Sequence, residues 1–259
     1  MEIHIMVGLI LSAVIGITLG LIGGGGSIIA ISILIYIIGI KTHQAIVMSL
    51  AVVGVVSLIG AGLHNQRGSV KLRAGILFSG VGMVGAYLGS HLTHLLSSIV
   101  LLLSFSSLKM VIGVLLLIKR YNNQNTIPLQ SRSKLKEMLT SLIVGFLTGF
   151  LGVGGGLTIM PALMIFHGLS LKDAIGTSLL IVTAHCGAGM LGHLHYGNID
   201  FRMLMLMTVI AIDGTLIGTA LSYRASLASL KKWFVIFVIA VALFITVKNY
   251  IVLYKQLSN

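Results

Sequence analysis

Long apolar stretches separated by short polar links run the length of this 259-residue chain. They lie at about 5–22, 27–40, 44–63, 74–90 and 95–118, and again at about 138–152, 156–168, 174–195, 203–223 and 233–253. Most reach the ~18 residues that a helix needs to cross a bilayer. An outer-membrane barrel would instead alternate apolar and polar positions in ten-residue segments. The pattern therefore predicts an all-α polytopic membrane protein. The pieces beside the glycine runs are shorter. In the second half they extend only about 22 and 20 Å at 1.5 Å per residue, less than the ~30 Å hydrocarbon core. Gly23, Gly24, Gly25 and Gly26 follow one another inside "LGLIGGGGSIIAISILIYIIG". Each costs about 1 kcal/mol relative to Ala in a helix interior, so this run predicts a broken helix.

The chain is duplicated. Displaced by 129 positions, it matches itself without a gap at nineteen of the seventy-five positions from 16 to 90. Gly16, Gly20, Gly23, Gly25 and Gly26 fall on Gly145, Gly149, Gly152, Gly154 and Gly155. Ala45, Ile46, Ser49 and Leu50 fall on Ala174, Ile175, Ser178 and Leu179, and His64, Gly68 and Arg73 on His193, Gly197 and Arg202. Apolar bias matches Leu to Ile by chance, but it does not align so many glycines with a His and an Arg. We divide the chain into a first transmembrane repeat (1–118), a polar, basic cytoplasmic linker (119–137) and a second repeat (138–259). Each repeat holds four to five helical segments.

Two topologies fit. Were each broken pair one discontinuous crossing, the halves would run parallel; were each a hairpin that dips in and returns, they would be inverted. With the linker inside, the hairpin arrangement places twelve Lys and Arg inside against four outside, and the alternative eleven against five. The count favours inversion.

Composition agrees. The chain is 57% hydrophobic and 8% charged, with a mean hydropathy of +1.09; a soluble domain carries about 25% charged residues. The net charge of +12 resides in Lys and Arg of the links, where membrane topology places them, and does not call for nucleic acid. The single cysteine, Cys186, excludes an intrachain disulfide and reads as a packing residue. "MEIHIMVGLILSAV" has no basic n-region and reads as a first helix rather than a cleaved signal. A cell (plasma or inner) membrane location follows.

Non-helical backbone is tolerated at membrane depth only where protein buries it or it lines a wet cavity. A break also frees backbone N–H groups at the start of the next helix, a ready anion site. Broken helices meeting between two repeats serve this purpose in duplicated transporters. The candidate substrate-binding residues are Gly24, Gly25, Gly26 and Ser27 in the first copy, and Gly154, Gly155, Gly156 and Thr158 in the second. Ser49, Thr177 and Ser178 are further hydroxyl candidates, although mid-helix Ser and Thr often bond back to their own helix. The duplicated GxxxG pairs Gly16/Gly20, Gly145/Gly149, Gly85/Gly89 and Gly214/Gly218 read as close helix packing, within one chain or in a homo-oligomer.

At these residues, "GFLTGFLGVGGGLTIMPAL" (Gly145 to Leu163) followed by "DAIGTSLL" (Asp173 to Leu180), with its weaker first-half echo, resembles the sulfite exporter TauE/SafE family of membrane permeases. The resemblance implies a transporter of sulfite, sulfonates or related small organic anions. The first copy departs from the motif: Ser32 stands where Pro161 does, and Val47-Met48 replaces Gly176-Thr177.

Asp213 is the one acid within a strongly apolar segment, and His185 also lies mid-segment. Each is a proton-coupling candidate; the alternatives are a structural ion partner for Asp213 and a satisfied core histidine for His185. His64 and His193, at segment ends, read as interfacial anchors. The residues favour a secondary transporter of a small anion, with the lipid bilayer and coupled protons as further partners and no cofactor. A divalent-metal permease or a membrane assembly factor is the alternative. A zinc motif, a nucleophile–base set and an ATP-binding motif are all missing from the sequence, which argues against an enzyme or a self-powered pump.

Overall fold

A computed structural model describes residues 2–24, 26–93, 96, 100, 134–151, 156–193 and 200–225. These form helices α1 (Glu2–Ile22), α2 (Gly26–Tyr36), α3 (Thr42–Gln66), α4 (Leu72–Thr93), α5 (Lys134–Leu151), α6 (Gly156–Phe166), α7 (Leu171–His193) and α8 (Phe201–Arg224). Helices α3, α4, α7 and α8 are long and apolar enough to cross a membrane. The segments expected at about 95–118 and 233–253 lie almost wholly outside the described residues. Helix α5 starts at Lys134, within the stretch assigned to the linker. Its opening Lys-Leu-Lys-Glu are good helix formers, and Glu137 in the first turn complements the helix dipole.

Close contacts set the helix directions. Gly16 of α1 abuts Ala211 and Thr215 of α8, and Gly20 abuts Thr215 and Thr219, so these helices run parallel. Gly85 and Gly89 of α4 abut Leu142, Phe146 and Phe150 of α5 in the same parallel sense. A Cβ on Gly16 would stand 1.8 Å from the Ala211 carbonyl oxygen, so only glycine permits this approach. The GxxxG pairs are therefore occupied within the chain. Central helices α3 and α7 are antiparallel, with Gly54 against Cys186 and Gly60 against Leu179. Helix α4 runs parallel to α7, pairing Gly75 with Leu180 and Gly82 with His185.

Each broken pair is a hairpin. A Cβ on Gly26, at the start of α2, would meet the Ile15 carbonyl of α1, while Gly8 near the start of α1 meets Ile38 just beyond α2. In the second copy His167, just past α6, pairs with Glu137 at the start of α5 at 2.9 Å. Helices α1, α3 and α8 thus run one way, and α4, α5 and α7 the other. The 129-residue register carries α1 onto α5, α3 onto α7 and α4 onto α8, each reversed. We infer that the two halves are inverted with respect to one another.

The core joins Ile15, Leu19, Leu34, Val52, Leu163, Leu179 and Val182 across both halves. The outer faces of α4 and α8 expose Ile76, Leu77, Leu88, Met205, Val209 and Ile217, an apolar surface suited to lipid. Arg67, Lys71, Arg73, Lys134, Lys136, Lys172 and Arg224 gather at one end of the described helices, with Lys41 and Arg202 at the other.

Candidate functional site

Helix α1 stops at Gly23, whose φ of 77° lies in the left-handed region that glycine enters without a steric penalty. Its N–H still bonds the Leu19 carbonyl at 2.7 Å, closing the last turn. Beyond it the backbone of Gly24 lies against Gly156: a Cβ on either residue would come within 2.2–2.5 Å of the other's backbone. The first break therefore touches the first residue of α6, backbone to backbone. Gly156 opens α6 and Gly26 opens α2, so the N-terminal ends of the two half-helices converge. Each helix has eleven residues, about 16 Å. Each N-terminus carries about half a positive charge and unbonded N–H groups.

Side chains from the opposite copy hold the first break. Ser178 Oγ, fully buried on α7, shares its proton between the Gly23 carbonyl at 2.9 Å and the Ile175 carbonyl at 2.8 Å. Ser49 Oγ donates to the Ile46 carbonyl at 2.8 Å. Thr177 Oγ1 accepts from the Lys71 N–H at 2.9 Å, tying α7 to the start of α4. Of these hydroxyls Ser178 braces the backbone at the first break, Thr177 ties α7 to α4, and the Ser49 bond stays within its own helix. The first turns of α2 and α6 include Ser27 and Thr158, whose side chains lie outside the described set, as do Gly25, Gly154 and Gly155 entirely.

His64 and His193 differ from the interfacial anchors expected of them. Both are 1% exposed. His64 Nε2 stands 3.1 Å from the Gly20 carbonyl, and His193 Nε2 stands 3.3 Å from the Gly149 carbonyl. Each thus satisfies a carbonyl that the interrupted helix leaves open near its break. The signal was present in the sequence: both members of each His–Gly pair repeat in the 129-residue register. Their convergence was not. Tyr223 OH stands 3.0 Å from His64 Nδ1 and 2.8 Å from Ser69 Oγ, extending this set to α8.

His185 is buried between α7 and α4, two turns (about 10 Å) along α7 from Ser178. Its ring fills the space over Gly82, where a Cβ would lie 1.9 Å from Nε2. Among the described residues neither ring nitrogen has hydrogen-bond geometry to a partner, and the nearby Phe78 carbonyl already accepts from Ser141 Oγ. Asp213 faces outward on α8, beside the exposed Leu216 and Ile217, whereas Ala211, Gly214 and Thr215 face inward. It is thus separated from the breaks.

Two hairpins that meet at Gly24 and Gly156 inside an apolar bundle, with four helices long and apolar enough to cross a membrane, have the build of a polytopic membrane protein. The sulfite exporter TauE/SafE family pattern matches residues 8–245, and the chain belongs to that family. It is 34% identical over 236 residues to a probable membrane transporter protein of Xylella fastidiosa strain 9a5c, covering 89% of this chain and 90% of the relative. It is 28% identical over 211 residues to the Bacillus subtilis strain 168 probable membrane transporter protein YdhB, covering 79% and 84%. A Haemophilus influenzae probable membrane transporter protein is 22% identical over 264 residues, covering 92% and 97%. No solved structure matches the chain. The relatives carry the names of transporters, not enzymes.

Proposed function

We propose that this transporter moves a small oxidised-sulfur or carboxylate anion, with sulfite or a sulfonate first among them, across the plasma membrane. The anion binds where the N-termini of α2 and α6 converge. The contact of Gly24 with Gly156 carries this reading, because it places two partly positive helix ends together. Backbone N–H groups of Gly24, Gly25 and Gly26 and of Gly154, Gly155 and Gly156 are the donors, joined by the hydroxyls of Ser27 and Thr158. Ser178 braces the first break through the Gly23 carbonyl, and Ser49 and Thr177 are further hydroxyl candidates for the anion. Two eleven-residue half-helices end to end measure about 33 Å, close to one hydrocarbon thickness, which puts their meeting point near the midplane. The end carrying Arg67, Lys71 and Lys172 faces the cytoplasm by the positive-inside rule.

Coupling to protons rests on His185, a buried imidazole two turns from Ser178 with neither ring nitrogen in hydrogen-bond geometry among the described residues; Asp213, outward on α8, is the second candidate and would act apart from the breaks. The test is sulfite flux in proteoliposomes with and without an imposed pH gradient. Wild-type flux that saturates, and that Gly156→Val abolishes in a folded protein, supports the site. Flux unaffected by Gly156→Val overturns it. His185→Gln and Asp213→Asn then report on coupling: a gradient response unchanged in both removes the proton.

A further inference from the structure

The break is approached from one end by a cluster whose cations the sequence of the other copy does not repeat. Tyr223, near the end of α8, has two cations against its ring: Arg67 Cζ is 4.3 Å from the ring centroid and Lys172 Nζ 5.6 Å. Lys71, in the same link as Arg67, is engaged by Asp173 at 3.7 Å. Among the described residues no carboxylate pairs with Arg67 or Lys172. Two cations drawn to one aromatic ring repel each other, and an oxyanion bound beside them lowers that repulsion. The N-termini of α4 and α7 open at this same end and add to the positive potential. Beneath the ring, Tyr223 OH meets Ser69 Oγ and His64 Nδ1, and His64 reaches the Gly20 carbonyl in the last turn before the break. A continuous set of contacts therefore joins the cations to the break.

The duplication makes the asymmetry informative. Carried through the 129-residue register, Arg67, Ser69 and Lys71 fall on Tyr196, Asn198 and Asp200, and Lys172 and Tyr223 fall on His43 and His94. No Lys or Arg occupies those positions in the other copy. Arg73 and Arg202, by contrast, are basic in both copies and favour neither end. Topology alone requires positive charge in the links; it does not require two cations on one ring above a buried histidine.

We propose that Arg67 and Lys172, over Tyr223, form an oxyanion-collecting site at the basic mouth of the transporter, from which substrate is loaded towards the first break. This rests on the anion-transport reading above. Its ligand chemistry is a compact oxyanion, supplied either by a soluble substrate such as sulfite or by the phosphate of an anionic lipid, and the two sources separate experimentally. The full chain, in lipid-free detergent, is titrated with sodium sulfite while thermal stability is followed, and the titration is repeated with phosphatidylglycerol in place of sulfite. The double variant Arg67→Gln/Lys172→Gln is expected to raise the apparent Kd for sulfite about tenfold and to flatten its salt dependence. Arg67→Lys, which keeps the charge, retains most of the affinity, and Arg202→Gln at the other end leaves it unchanged. In vesicles exposing the basic end, the double variant raises KM for sulfite with the maximal rate kept within about twofold, whereas Gly156→Val lowers the maximal rate.

Unchanged sulfite affinity and KM in the double variant overturn the proposal. So does an equal loss in Arg202→Gln, or a loss confined to phosphatidylglycerol. If Gly156→Val abolishes flux while the double variant is normal, the break reading survives and the collecting site does not. A wild-type chain that binds no oxyanion removes both.

Discussion

Replacing Gly24 with alanine tests the contact on which the site depends. The added Cβ would lie 2.2 Å from the Gly156 carbonyl carbon and 2.5 Å from its Cα and oxygen. Carbon atoms rest about 3.5–4.0 Å apart, so the two breaks would have to separate by more than about 1 Å. All the opposing atoms are backbone, with no flexible side chain to turn aside. Overpacking of this kind costs about 1–3 kcal/mol, and the displacement falls on the helix ends that would hold the anion. Gly62→Ala is the control. It lies on α3 with nothing within 4 Å of its added Cβ, and alanine gains up to about 1 kcal/mol of helix propensity there. Both variants are purified, unfolded by heat and assayed for sulfite flux in proteoliposomes. Gly24→Ala should be less stable than the parent by about 1–3 kcal/mol and should lose at least about tenfold in flux. Gly62→Ala should match or exceed the parent in stability and keep its flux. A Gly24→Ala protein equal to the parent in both assays would refute the contact between the breaks.

Further outcomes follow from the same geometry. Gly82→Ala, whose Cβ would meet the His185 ring at 1.9 Å, should destabilise the chain, and removing that ring with His185→Ala should relieve most of the loss; a thermal double-mutant cycle with no coupling would contradict the packing. His64→Ala and His193→Ala should each cost about 1–3 kcal/mol by leaving the Gly20 and Gly149 carbonyls without these partners, and loss of less than about 0.5 kcal/mol in either would return that histidine to an anchoring role. Ser178→Ala removes the donor to the Gly23 carbonyl and should cost about 1–2 kcal/mol, more than Thr140→Ala, whose hydroxyl bonds its own exposed helix at Lys136. Asp200→Ala should cost about 0.5–2 kcal/mol, because its carboxylate accepts the Met203 N–H at the start of α8; Asp200→Asn should recover most of this.

The end of α1 at the first glycine run was legible, because a glycine run in a hydrophobic segment contradicts its surroundings; Gly152, Gly154 and Gly155 lie outside the described residues. The packing of Gly16, Gly20, Gly214 and Gly218 was legible as well, since glycine four residues apart opens one helix face. His64 and His193 were visible as a repeated pair but read as surface groups, because position near a segment end does not reveal burial. Here the neighbouring helix folds over them. Ser178 was legible as a repeated hydroxyl, but not as a donor to Gly23, which is distant in sequence and belongs to the other copy. Asp213 stood out by its charge alone; the rotation of α8, set by Gly214 and Gly218 against α1, turns it outward.

By itself the sequence determined the membrane-spanning helical class and marked the glycine run where α1 gives way to α2, and its 129-residue register is what reads as a duplication. Those are local or periodic properties: apolar length, helix propensity and a repeating register. The charge count favoured hairpins, but the tertiary structure alone decided that α1 joins α8 while α5 joins α4, and that Gly24 meets Gly156. Those pairings depend on which surfaces approach across more than a hundred residues of chain, and neither hydropathy nor spacing records a partner. The proposed anion site is therefore written in the sequence as two separate halves, and it exists only where folding brings them into contact.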